Sequence, residues 1–247
     1  MKGGLIFISY KFDRTRPTKD IDFLGVSVSS DMEEIAQIVD SICAIQVDDG
    51  VIFDRNSIAT EIINQGEKHE YIGIRTKIDS TLSGIKMKLS IDVGFGDKLE
   101  TEPLEIEYPV ILDLPAPLIK VYSCETVIAE KFETIVKLGI INSRMKDFFD
   151  IHFLSQNYSF EMNELKKNIL TTFNQRHTDI SNRSYIFSDD FKNNENKSIQ
   201  WEAFLRKNKI KTKEIFSSII EKIEIFIEPI FQNENKKKWN IKKSSWE

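Results

Sequence analysis

Two aspartates spaced two residues apart are the first feature of this sequence that indicates chemistry. Asp20 and Asp22 lie in residues 20–25, where charged and apolar residues alternate as they do in a half-buried strand. Side chains two apart on a strand leave the same face, so these carboxylates repel one another unless a cation lies between them. Mg²⁺ suits such a pair, above all when nucleotide phosphates complete its coordination. The alternative is a solvated strand edge, which the short motif alone favours.

A third carboxylate and a pair of glycines extend this candidate site. Asp92 ends a second alternating segment, residues 86–93, and could bind a second metal ion or deprotonate an attacking hydroxyl. Gly3 and Gly4 let backbone amides approach phosphate oxygens closely, although a simple turn is the alternative. Arg16 could neutralise a polyphosphate, or it could be a solvated loop charge.

A second cluster of charges is predicted on helices. Lys131 falls within the apolar stripe of a helix over about 123–138, so its ammonium either reaches solvent from the stripe's edge or points at an anion. Asp147 shares a face of the next helix with apolar residues, and a carboxylate in that setting needs a partner. Lys131 and Arg144 are the nearest candidates. They would form an ion pair that locks two helices, or Asp147 would orient one of them toward phosphates.

The elements that position these residues change character at Pro115 and Pro117, which favour extended chain. We predict an α+β domain over 1–113 and a mainly helical domain over 118–247. The first is expected to hold strands over 20–25, 71–76 and 86–93, a helix over 31–39 with Ser30 as its N-cap, and a turn over 80–84 that forms a hairpin beside the first strand. The second is expected to hold helices over about 123–138, 144–155, 161–175 and 212–231, with a loop over 193–197.

Composition excludes several classes of protein. The chain has 247 residues and a net charge of −5, so it lacks the overall positive charge of many nucleic-acid binders. Cys43 and Cys124 form no CxxC pair, and the three histidines share no metal-ligand spacing, which argues against a zinc enzyme. There is no export signal and no apolar run long enough to span a membrane. A cytoplasmic location is expected.

The C-terminal tail has a basic stretch interleaved with tryptophan. It contains Lys236, Lys237, Lys238, Trp239, Lys242, Lys243 and Trp246. The lysines could hold RNA phosphates while a tryptophan stacks on a base. A charged, frayed terminus is the alternative.

The order and combination of these features is more specific than any one of them. The segments concerned are Lys2-Gly3-Gly4, Arg16-x-Thr18-x-Asp20-Ile21-Asp22-Phe23, Asp92, Ala129-Glu130-Lys131 and Ser143-Arg144-x-Lys146-Asp147-Phe148-x-Asp150. This combination resembles the AbiEii/AbiGii toxin family. Those proteins are nucleotidyltransferases of the DNA polymerase β superfamily, found in bacterial toxin–antitoxin and abortive-infection systems.

The resemblance implies a small mixed sheet of nucleotidyltransferase type and the transfer of a nucleoside monophosphate from an NTP to an acceptor. Some relatives add nucleotides to the acceptor end of tRNA, so an RNA acceptor and a cognate antitoxin are the implied partners. The implied metal ligands for Mg²⁺ are Asp20, Asp22 and Asp92. The implied nucleotide-binding residues are Gly3, Gly4, Arg16, Thr18, Lys131 and Arg144. The implied catalytic residues are Asp20, Asp22, Asp92, Lys131 and Asp147.

One departure from the family pattern leaves other functions open. Relatives usually carry a helical segment before the Lys-Gly-Gly sequence, and here Met1 precedes it directly. The alternatives are a catalytically degenerate module that binds a nucleotide or an antitoxin, and a nucleotidyltransferase for a small molecule.

Overall fold

The computed structural model describes residues 1–12, 16–64, 72–97, 99–110, 113–232 and 237–247. These divide into two units, Met1–Asp97 with Glu105–Val121, and Lys98–Leu104 with Tyr122–Glu247. Tyr71 and Lys236, which belong to a predicted strand and to the basic tail, lie outside the described residues. Among the described residues, every helix is too short or too polar to span a lipid bilayer.

The first unit is built on a four-stranded sheet in the order β1-β4-β3-β2. Its elements are a 3-10 turn over Gly3–Leu5, α1 (Ile6–Ser9), β1 (Asp20–Leu24), α2 (Met32–Cys43), β2 (Val51–Asn64), β3 (Ile72–Leu82), β4 (Ile85–Gly94), β5 (Leu104–Glu107) and β6 (Leu118–Val121). β1 is parallel to β4, while β3 is antiparallel to both β4 and β2. β5 and β6 form a separate two-stranded sheet. The predicted hairpin is therefore present, and β4 pairs with the first strand as expected.

Alternation along β3 separates an apolar face from a charged face. Ile74 and Ile78 are buried, and α2 packs on β2 and β3 with Ile35 and Val39 buried. Arg75 and the other odd-numbered residues of β3 leave the opposite face of the sheet. The charged face is therefore the one available for chemistry.

Two features of the first unit differ from the predictions. Asp31, not Ser30, caps α2, because its carboxylate accepts hydrogen bonds from the amides of Glu33 and Glu34. β2 was not predicted, because a register shift between Asp54 and Ala59 interrupts the alternation by which a strand is detected.

The second unit is helical around an aromatic core. Its elements are α3 (Cys124–Leu138), α4 (Met145–Asn157), α5 (Met162–Gln175), α6 (Arg183–Ile186), α7 (Asp189–Lys192), α8 (Glu195–Lys207), α9 (Phe216–Ile227), β7 (Trp239–Asn240) and β8 (Ser245–Trp246). The ring of Phe148 meets that of Phe216 edge to face, with 5.3 Å between centroids. The α+β class is confirmed. The predicted loop over 193–197 is wrong, because the Asn194 side chain caps α8 at the amide of Lys197.

The C-terminal tail folds back as a hairpin, so both the predicted frayed terminus and the predicted base-stacking role of its tryptophans are wrong. Trp239 and Trp246 are 2% and 4% exposed. Their indole nitrogens donate to the carbonyls of Ser155 and Phe226, and Trp246 stacks on the Phe226 ring. Buried rings of this kind stabilise the core and cannot stack on a base.

Candidate functional site

The sheet register places the three predicted carboxylates on one face. Asp22 pairs with Asp92 across β1 and β4, and Asp20 pairs with Ser90 one step away. Arg75 lies opposite Asp92 on β3. Residues paired across neighbouring strands share a face, so the three carboxylates and this guanidinium project from the same side of the sheet.

Arg75 holds Asp92 through both carboxylate oxygens. Its Nε lies 2.8 Å from Oδ1 of Asp92 and its Nη2 lies 2.6 Å from Oδ2. This hydrogen bonding, aided by the charges of Asp92 and Asp20, raises the pKa of Arg75 further above its ordinary value. A fixed positive charge thus lies beside the carboxylates of this face. Sequence reasoning missed Arg75 because only the strand register shows which residue faces Asp92.

Gly3 is required by the position of the Asp22 side chain. The Lys2 amide donates to the Asp22 carbonyl at 2.7 Å, which places the N-terminal 3-10 turn against β1. Gly3 has φ +71, and a Cβ there would lie 1.8 Å from Oδ2 of Asp22. The structure therefore shows a packing reason for this glycine, and its predicted contact with phosphate stays a prediction.

The other predicted nucleotide-binding residues of this unit lie together. A Cβ on Gly4 would lie 2.8 Å from Oγ1 of Thr18 and 3.2 Å from Nη1 of Arg16. Arg16 is only 8% exposed, so it is not the solvated loop charge of the alternative interpretation. The Gly3-Gly4 turn, Arg16 and Thr18 form one contiguous group beside β1.

We call the sheet face that carries Asp20, Asp22 and Asp92 the acidic face. Its oxygen ligands fit Mg²⁺ at two of these three carboxylates. Asp20 and Asp22 supply the hard oxygen ligands that this ion prefers. Both oxygens of Asp92 accept from Arg75, so this carboxylate is already bound by a protein cation. Consistent with this, no three acidic, histidine or cysteine side chains of the described residues converge as a preformed metal site.

The second cluster lies within the helical unit and is an ion-pair network. Lys131 Nζ of α3 is 2.9 Å from Oδ1 of Asp147 and 2.7 Å from Oδ2 of Asp150, both on α4. Arg144 Nε is 2.7 Å from the second oxygen of Asp147. The predicted partners of Asp147 are confirmed, and Lys131 points at carboxylates instead of reaching solvent. Asp150 is the additional partner.

Asp147 is ionised although it is buried. Burial alone would raise its pKa, but the positive charges of Lys131 and Arg144 outweigh that effect and lower the pKa from 3.8 to about 2. The carboxylate therefore carries its negative charge throughout the neutral pH range. A buried ion pair of this kind fixes the relative position of α3 and α4 at one point.

Lys197 supports the start of α4 and was missed in the sequence. It is 1% exposed, and its ammonium donates to the carbonyl of Asn142. The Asn142 side chain in turn accepts from the amide of Arg144 at 2.8 Å. Burial lowers the pKa of Lys197. Lys197 lies in a polar stretch, so the sequence does not indicate that it is buried. Its burial depends on contacts with residues that are distant in sequence, such as Asn142.

We predict that Gly3→Ala destabilises the protein more than Gly84→Ala does. Both glycines have positive φ, so both variants carry the left-handed strain of about 1 kcal/mol. Only Gly3→Ala also displaces the Asp22 carboxylate, which adds about 2 kcal/mol, because a Cβ at Gly84 meets nothing within 4 Å. Urea denaturation measures both values, and equal losses would contradict the packing of Gly3 against Asp22.

We predict that Asp147→Asn removes part of the acid sensitivity of folding. The folded-state pKa of about 2 lies below the ordinary value of 3.8, so this stabilisation is complete above pH 4 and is lost as pH falls toward 2. The variant should unfold about 2 kcal/mol more easily at pH 7, with a shallower decline below pH 4. Urea denaturation at several pH values tests this, with exposed Asp190→Asn as the control. If the free energy of unfolding declines below pH 4 as steeply in Asp147→Asn as in wild type, Asp147 is not the source of that decline.

Comparison with known proteins bears on the family and on the fold. The sequence profile described as nucleotidyl transferase AbiEii toxin, type IV TA system, matches residues 1–233. No curated protein matches the chain. The crystal structure of JHP933 from Helicobacter pylori is similar in fold, with a TM-score of 0.51 and 14% identity over 92% of this chain and 80% of that one.

A second Helicobacter pylori structure, of a protein assigned as a nucleotidyltransferase, gives the same TM-score of 0.51 and 14% identity, over 92% of this chain and 82% of that chain. At this identity the two structures show the fold alone. The match over residues 1–233 shows the family. The chain belongs to the AbiEii family of nucleotidyltransferase toxins of type IV toxin–antitoxin systems.

Proposed function

We propose that this protein is a Mg²⁺-dependent toxin that transfers a nucleoside monophosphate from an NTP to an RNA acceptor, of which tRNA is our first candidate. It would act in the cytoplasm and be neutralised by a cognate antitoxin. One observation carries the proposal. Asp20, Asp22 and Asp92 stand in register on one face of a sheet, beside the turn that contains Gly3 and Gly4.

The reaction needs charge neutralisation and positioning more than covalent chemistry. The acceptor oxygen forms a bond to the α-phosphorus while the bond to pyrophosphate breaks, and the acceptor proton must be removed. Asp20 and Asp22 would hold Mg²⁺, which when bound neutralises the phosphate charge and favours the ionised acceptor hydroxyl. Arg16, packed beside Gly4, would add a positive charge at the triphosphate.

Asp92 has a role that depends on Arg75. Both oxygens of Asp92 accept hydrogen bonds from the guanidinium, so the carboxylate would have to leave this pair before it could accept the proton of a hydroxyl group. A bound triphosphate offers Arg75 another anion, so we propose that substrate binding draws Arg75 away and releases Asp92 toward the acceptor hydroxyl. Asp92 then helps to remove the proton.

Within the helical unit, we propose that Lys131 binds phosphate and that its neighbours position it. Asp147 and Asp150 hold its ammonium from two sides. The Arg144 side chain is 50% exposed while its Nε stays on Asp147, so it can meet an anionic ligand in a fixed orientation. Asp147 thus acts through Lys131 and Arg144 as a positioning residue.

A second candidate function is nucleotide binding without turnover. The two-point pair between Arg75 and Asp92 favours it, because the third carboxylate is engaged in this structure. If the ion pair between Arg75 and Asp92 persists when an NTP binds, the protein would bind the nucleotide and its antitoxin but would transfer no nucleoside monophosphate.

We predict label transfer from an NTP to RNA that depends on the acidic face. The protein is incubated with Mg²⁺, each α-labelled NTP in turn and total tRNA, and the label is followed into the RNA, protein and small-molecule fractions. Asp20→Asn and Asp22→Asn should each reduce transfer at least about 100-fold, because each removes a metal ligand. Asp79→Asn is the matched control, since it changes a carboxylate that pairs with Lys88 on the same face of the sheet.

Each outcome discriminates between the candidates. Label in RNA that disappears in both aspartate variants, and not in Asp79→Asn, supports the proposal. NTP binding without transfer indicates the degenerate module, and label in the small-molecule fraction indicates a different acceptor. Transfer that survives in Asp20→Asn contradicts the assignment of the site.

A further inference from the structure

A short segment at the end of α8 is strongly basic, although the chain as a whole has a charge of −5. Residues 206–213 contain five positive side chains and no negative one. They are Arg206, Lys207, Lys209, Lys211 and Lys213. All five are exposed. We call residues 206–213 the basic segment.

The charge of the basic segment is not neutralised by its neighbours. Glu214, the next acidic residue, is bound by Lys222 and by the Ser218 hydroxyl. Glu202, one turn before Arg206, forms no ion pair with it. Across the described parts of the chain, none of the five cations lies within ion-pair distance of a carboxylate, whereas Lys192 and Lys222 of the same unit are paired.

The backbone of the basic segment is fixed at both ends. The buried Trp201 donates from its indole nitrogen to the Glu214 carbonyl at 2.9 Å. The Ile210 amide donates to the Leu205 carbonyl at 3.0 Å, and Lys209 takes φ 54 to close the end of α8. A held backbone presents the cations together, so a ligand orders only the side chains and less entropy is lost on binding.

The C-terminal tail, which is equally rich in lysine, differs in these respects. Lys238 pairs with Glu161, and Lys243 pairs with Glu247. The tail's tryptophans are buried, as described above. Much of its charge is therefore used within the protein.

We propose that the basic segment binds the phosphate backbone of the acceptor RNA; the identity of the acceptor as RNA rests on the proposed function. Four of its five cations are lysines, which are depleted in protein–protein interfaces but are, with arginine, the side chains that neutralise nucleic-acid phosphates. The intervening Ile210 is partly buried, so the segment lacks an exposed apolar centre. RNA is therefore favoured over an acidic protein.

The test replaces Lys209, Lys211 and Lys213 with glutamine together. A second triple variant, at Lys86, Lys137 and Lys166, changes the net charge equally and is the matched control. Binding of fluorescent bulk tRNA is measured by anisotropy over a range of salt concentrations. The basic-segment variant should bind about 30- to 100-fold more weakly near 0.1 M salt, and its log–log salt slope should fall by about 2. Replacing the same three lysines with arginine should restore binding.

The outcomes separate this inference from the proposed function. Wild-type protein that binds tRNA through these lysines, but transfers no nucleotide, supports the inference and contradicts the proposed function. If the glutamine variant still transfers nucleotide to tRNA, with unchanged tRNA binding and an unchanged KM, the result supports the proposed function and contradicts the inference. Loss of antitoxin binding with intact tRNA binding would assign the segment to a protein partner and overturn the inference. Thermal unfolding checks that the variants fold, as expected for the basic segment because Lys209, Lys211 and Lys213 are exposed.

Discussion

The repulsion between carboxylates on one sheet face is the constraint around which the first unit is organised. Asp22 and Asp92 are register partners, and Asp20 is one pleat away on the same face. Such an arrangement is unfavourable unless positive charge is close by. Arg75 supplies part of it, through a two-point pair whose carboxylate is 10% exposed and whose guanidinium is 32% exposed. The proposed Mg²⁺ would add further positive charge.

This constraint explains features that otherwise look unrelated. Gly3 must lack a side chain because the Asp22 carboxylate occupies the space beside it. The turn that contains Gly3 is fixed in turn by the hydrogen bond from the Lys2 amide to the Asp22 carbonyl. The Lys-Gly-Gly sequence and the Asp-x-Asp sequence therefore form one structural unit. A change in either would move the other.

The helical unit meets a similar problem by a different arrangement. Asp147 and Asp150 are almost completely buried, and the Lys131 ammonium lies between them. Such a network is costly to break, because removal of one partner leaves a buried charge unpaired. Lys197 extends the arrangement. Its ammonium donates to the Asn142 carbonyl, and the Asn142 side chain accepts from the amide of Arg144. By contrast, the cations of the basic segment stay exposed, which suits contact with an external anion.

The sequence was sufficient for what depends on local pattern. It predicted the strand that contains Asp20 and Asp22, the hairpin beside it and the partners of Asp147, because alternation and helical spacing record which face a residue occupies. Arg75 was missed because its partner is distant in sequence and is defined only by strand register. β2 was missed because its bulge breaks the alternation. Trp239 and Trp246 were assigned wrongly, because neighbouring lysines in the sequence do not indicate whether a tryptophan ring is buried or exposed.

The most direct test of this account is thermal unfolding with and without Mg²⁺ for wild type, Asp22→Asn and Arg75→Met. A ligand that binds only the folded state raises Tm, so Mg²⁺ should stabilise wild type and leave Asp22→Asn unchanged. Arg75→Met should be less stable without Mg²⁺, by about 2–4 °C, and should gain more than wild type when Mg²⁺ is added, because the ion replaces the missing positive charge. Equal Mg²⁺ stabilisation of wild type and Asp22→Asn would contradict the claim that these carboxylates form the metal site.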